Sequence, residues 1–147
     1  MKYKKIIFSM ILFLIFVLFS LGYSRQEIDK SADVIDLTKM SKIMVYSSLF
    51  NIVSDYKNYI GKEIILSGNF TRYCDEETNK VYYVCLIQDA TACCMTGINF
   101  VPDKKYLYPE DFPKENAKIT IRGTLETFEE DGNTFCQLTN TIMEFKK

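Results

Sequence analysis

Apolar and polar residues alternate along much of the C-terminal three quarters of the chain. Ile64, Leu66, Gly68 and Phe70 share one face of a period-two pattern, with Ser67, Asn69 and Thr71 on the other. This predicts a half-buried strand that Tyr59-Ile60-Gly61-Lys62 turns into. The alternation is cleanest where Ile119, Ile121, Gly123 and Leu125 oppose Thr120, Arg122, Thr124 and Glu126. Lys80 to Gln88 is apolar on both faces and reads as a central strand, reached through the acidic hairpin loop Asp75 to Asn79. Gly97 to Val101 reads as a short third strand. Asp131-Gly132 marks a tight turn into a fifth, from about Asn133 to Phe145, in which Cys136, Leu138 and Ile142 share a register.

Upstream the period changes. Ile43, Tyr46, Phe50 and Val53 recur at three- and four-residue spacing, widened by Met40, Leu49 and Tyr56. That is an amphipathic helix, capped by Thr38 or Ser41 and ending near Asp55. Tyr106 to Asn116 holds Pro109 and Pro113, so the link to the fourth strand is irregular rather than helical. Gly68 inside a strand predicts a bulge or sharp bend of the kind that closes small barrels. The expected fold is mainly β: a small five-stranded, antiparallel OB-like barrel over residues 38–147 with an N-terminal amphipathic helix. An SH3-like barrel or a small sandwich is the alternative.

Ahead of that domain, Lys2, Lys4 and Lys5 precede the uncharged run Ile6 to Leu21, and Gly22-Tyr23-Ser24 offers a cleavage site before Arg25. Residues 1–24 therefore read as a signal peptide or as an uncleaved N-terminal membrane anchor. Either one exports the rest to the outer face of the cytoplasmic membrane or beyond. Arg25 to Asp36 is polar with no apolar period, and residues 25–37 read as a linker.

Charge narrows the partners. Three of the 18 Lys+Arg lie in the first five residues, so the exported part carries 15 against all 19 Asp+Glu, a net of −4. That lacks the basic footprint needed to neutralise phosphates and argues against nucleic acid.

The candidate chemistry is sulfur. Of five cysteines, Cys93 and Cys94 are adjacent and follow Asp89 closely. In a strand two neighbouring thiols point to opposite faces, whereas in a turn both can approach one ion. Thiolates beside a carboxylate, with Met95 near and no histidine in the chain, suit Zn²⁺ or Cu⁺ rather than Mg²⁺ or Ca²⁺. Cys85 and Cys136 read as further ligands, as buried small hydrophobes or as partners in a disulfide; Cys74 precedes the acidic loop. The lack of histidine removes the usual Ser-His and Cys-His nucleophile pairs. No P-loop or GxGxxG is present. Thiol redox chemistry is the remaining catalytic option.

Tyr59-Ile60-Gly61-Lys62, the run Asp89-Ala90-Thr91-Ala92-Cys93-Cys94 through Gly97-Ile98-Asn99-Phe100, the Pro109-to-Pro113 crossover and Gly123-Thr124-Leu125-Glu126-Thr127 resemble an uncharacterised family of exported single-domain proteins from Firmicutes-like bacteria. More remotely, the pattern is similar to the OB-like domain of uncharacterised membrane proteins that partner putative permeases, although here Cys-Cys follows Asp-Ala instead of preceding it. The resemblance implies a domain near a transport system. The expectation is thus a cell-envelope binding module with zinc as the candidate cofactor and an envelope protein or transporter as the candidate partner. Its site would draw on Cys93, Cys94, Cys85, Cys136 and Asp89. The alternative is a non-catalytic interaction domain whose cysteines only pack or cross-link it.

Overall fold

The computed structural model describes residues 33–89, 91 and 93–146. The signal or anchor segment 1–24 and most of the linker lie outside the described residues. Among the described residues no helix is long and apolar enough to cross a membrane.

The chain is mainly β, with a six-stranded mixed sheet and one α-helix. In order come β1 (Val34–Asp36), a 3-10 turn (Leu37–Lys39), α1 (Lys42–Ser54), β2 (Glu63–Cys74), β3 (Val81–Gln88), β4 (Met95–Pro102), β5 (Lys118–Glu130) and β6 (Asn133–Phe145). The strand order is β1-β2-β3-β4-β6-β5, and β2 also pairs with β5. Two findings depart from the expectation of five antiparallel strands. Val34–Asp36, read as the end of a linker, forms a sixth strand parallel to β2. The β4–β6 pairing is also parallel, because the irregular crossover and the β5–β6 hairpin bring β6 alongside β4 in the same direction. Burial explains the first: Ile35 and Leu37 are 4% and 0% exposed, so this short polar-looking stretch holds two core residues.

β2 is the strand on which the pairing turns. Glu63 to Asn69 pairs with β5, and Asn69 to Cys74 pairs with β3. Gly68 sits at the change of partner, but the register with β5 runs past it unbroken, so it is not a bulge. Its requirement is space. A Cβ there would lie 2.5 Å from the Leu86 carbonyl oxygen and 2.6 Å from Cys85 Sγ.

The real bulge is in β6. Arg122 pairs with Ile142 but Thr124 pairs with Thr139, so three residues of β6 span two of β5. Asn140 absorbs the extra residue at φ 50°, a left-handed conformation that asparagine tolerates. The inward face consequently passes from Leu138 to Thr141 and Met143, and Ile142 is 43% exposed. The expected shared face of Cys136, Leu138 and Ile142 is therefore corrected at Ile142.

The helix keeps its expected span, from Ser41 to Asp55, but Ser41 does not cap it through its hydroxyl, and the expected stripe docks only in part. Leu49 and Ile52 are fully buried, while Ile43 and Phe50 are 65% and 54% exposed. Met40, Val45, Tyr46, Val53 and Tyr56 pack partly against the same core, so the docked face is centred on Leu49 and Ile52 and keeps the expected Tyr46 and Val53 at its margin. Leu49 and Ile52 each contribute roughly 1.5–3 kcal/mol by burial, which fixes that face against the competing stripe. The crossover is held without a helix. The Phe112 ring lies tilted at 34° against Tyr83 with centroids 4.6 Å apart, and Asn116 and Ala117 exchange backbone hydrogen bonds with Phe70.

Candidate metal centre in the β3–β4 connection

β3 delivers a fully buried Cys85 and a nearly buried Ile87 to the core, then ends at Gln88, paired with Met95 at the start of β4. The connection between them is closed at its base by the Asp89 N–H donating to the Cys94 carbonyl oxygen at 3.0 Å. The Asp89 side chain fills the loop from inside. Its Oδ1 accepts the backbone N–H of Cys93 at 3.0 Å and of Cys94 at 3.4 Å. Aspartate is suited to this, because its short side chain can bond the backbone a few residues on.

That division leaves the other carboxylate oxygen facing the sulfurs. The Thr91 hydroxyl donates to Asp89 Oδ2 at 2.8 Å and lies 3.1 Å from Cys93 Sγ. The Cys93 thiol donates to the same Oδ2 at 3.4 Å. Cys94 Sγ is 3.5 Å from Cys93 Sγ. One ligand atom from each of Asp89, Cys93 and Cys94 thus falls within 4.8 Å of the others, with both cysteines exposed and Asp89 half-buried. The loop is not extended, so the two neighbouring thiols fall together instead of onto opposite faces.

Protonation follows from these contacts. The Thr91 hydroxyl, aided by the Cys93 thiol and the two backbone N–H groups, holds the Asp89 carboxyl below the ordinary carboxylate range. The Cys94 thiol is raised by its bond to Cys93, then by desolvation and the Asp89 charge. A raised thiol is a poor free nucleophile, since the thiolate is the reactive form. It becomes a thiolate readily only when a cation displaces its proton.

Of the five expected site residues the structure brings three together. Cys85 lies in the core, where desolvation pushes its thiol up to about 12. Cys136 is half-buried on β6, also raised by burial, and lines a separate pocket of about 220 Å³ with Val53, Tyr56 and Phe135. Neither belongs to the Asp89 group. All five cysteines, Cys74 included, are free thiols. Thr91 was the residue that sequence reading passed over; the Asp-x-Thr spacing, which favours a local hydroxyl–carboxylate bond, was its signal.

The donor set fits a tetrahedral borderline metal. With zinc–sulfur bonds of about 2.3 Å, two thiolates on a tetrahedral ion stand about 3.8 Å apart, whereas a linear ion needs about 4.6 Å. The two sulfurs touch as thiols at 3.5 Å, so they must part by a few tenths of an ångström for the first geometry and by about 1 Å for the second. Two thiolates and one carboxylate leave a fourth position open. No family model matches this chain, and no curated protein matches it.

Proposed function

We propose that the chain is an exported, cell-envelope-associated binding module that holds a zinc ion on Asp89, Cys93 and Cys94 and serves metal transport or sensing. The observation that carries this reading is the convergence of the three ligand atoms within 4.8 Å. The sulfur spacing favours a tetrahedral ion over linear Cu⁺, and the open fourth position on an exposed loop suits an ion that is passed on or sensed. Export is supported by the lysine-led apolar run Ile6 to Leu21. For the architecture we propose an OB-like five-stranded barrel. Its support is the circuit of pairings β2-β3-β4-β6-β5 that returns to β2, with β1 as an added parallel strand. An envelope protein or transporter is the proposed partner.

Titration of the reduced protein with Zn²⁺ tests the site. One equivalent binds, and the Cys93→Ser/Cys94→Ser variant loses at least a hundredfold in affinity with little change in stability, because both side chains are exposed. Unaltered binding in that variant sinks the reading. A second reading has an observation of its own. Cys85 is fully buried against Gly68, as expected of a domain whose cysteines serve packing. It predicts that the same double variant has no binding to lose.

A further inference from the structure

We infer that the cleft between the start of α1 and the β2–β3 pair binds a small organic carboxylate. The cleft measures about 430 Å³, within the roughly 300–1,000 Å³ typical of small-molecule sites. Its charged lining residues are Lys42, Lys118 and Asp89. Among the described residues neither lysine takes part in an ion pair. Asp89 is the one opposing charge; the Thr91 hydroxyl and the N–H groups of Cys93 and Cys94 that bond it are neutral donors and leave that charge in place, so the two lysines exceed it by one in the lining.

The start of the helix adds to the positive field. Ser41 makes no side-chain capping bond and the first turn of α1 carries no acidic residue, so nothing within the helix itself offsets the positive end of its dipole at Lys42. Met40, Val45 and Ile87 supply apolar lining beside these charges. A monoanion with a hydrocarbon body satisfies both halves of the cleft; inorganic phosphate would leave the apolar half in water. Two sources share this chemistry, a short acyl chain and the carboxyl terminus of a peptide.

The inference goes beyond the metal reading and survives its failure, because the lysines and the helix start act without an ion. Metal-stripped protein is titrated with hexanoate and with N-acetyl-leucine, following amide NMR shifts at Asn69 and Gln88, both of which line the cleft. Saturable one-to-one binding of either is the expected result, and the stronger of the two identifies the source. Lys42→Glu/Lys118→Glu weakens it at least tenfold, and Lys42→Gln/Lys118→Gln by less; both lysines are exposed, so the variants fold. Added Zn²⁺ raises carboxylate affinity if Asp89 carries the ion and leaves it unchanged if the metal reading fails. Three results overturn the inference: neither carboxylate saturates, hexan-1-ol binds as tightly as hexanoate, or charge reversal leaves affinity unchanged.

Discussion

Asp89 has two jobs that fall on different oxygens. Oδ1 holds the loop through the N–H groups of Cys93 and Cys94, and Oδ2 faces the Thr91 hydroxyl and the Cys93 sulfur. Asp89→Asn keeps an oxygen for the backbone but removes the charge, so zinc affinity falls by about tenfold to a hundredfold while the fold persists. Asp89→Ala loses the loop as well, visible as faster amide exchange at Cys93 and Cys94. The pH dependence has a definite sign. Zinc must displace the thiol protons, and the Cys94 thiol is raised, so affinity climbs with pH by about tenfold per unit for each proton released. The carboxyl is lowered: its support for the loop is present above the ordinary carboxylate range and lost as pH falls through its depressed value. Calorimetry in buffers of differing ionisation enthalpy counts the protons.

Elements show where residue pattern suffices and where it does not. The alternation of β2 and β5 was fully legible, since Ile64, Leu66, Ile119, Ile121 and Leu125 are at most 1% exposed. The face of α1 was legible only in part: Leu49, Tyr46 and Val53 pack on the core as expected, Ile43 and Phe50 do not. Apolar residues lie nearly all round the helix, and only the docking of Leu49 and Ile52 chooses between stripes. The bulge in β6 was not legible, because nothing in Leu138 to Met143 announces that Asn140 adopts positive φ. Met143→Ala should cost about 2–4 kcal/mol and Ile142→Ala under about 1 kcal/mol by urea denaturation, the reverse of what simple alternation gives. Gly68 was legible as special; the bulge is absent, and the close approach of β3 is the reason the structure adds. Gly68→Ala drives a methyl against the Leu86 carbonyl oxygen, which is backbone and cannot step aside. A loss of about 2 kcal/mol or more is expected by the same assay. For the site, the sequence made Cys93, Cys94 and Asp89 legible as a trio. Cys85 and Cys136 lie apart from that trio, which was not legible because strand parity says which face a thiol takes, not which neighbours it meets.

At the scale of the whole molecule, core and site are separable. The buried cluster runs from Ile35 to Met143 without drawing on Cys93 or Cys94, so changes at these two exposed thiols leave the core packing intact. The loop that carries them is anchored at both ends by paired strands, Gln88 to Met95. Asp89 also borders the cleft at the start of α1, so the proposed metal site and the proposed carboxylate site share one side chain. Thermal stability should accordingly rise only modestly with zinc, by about 2–4 kcal/mol at a hundred- to thousandfold excess over Kd, rather than depend on it. The most direct test is zinc K-edge X-ray absorption on the reduced, zinc-loaded protein. The account predicts two sulfur scatterers at about 2.3 Å with oxygen or nitrogen at about 2.0–2.2 Å. A shell of oxygen and nitrogen alone, or four sulfurs, contradicts it.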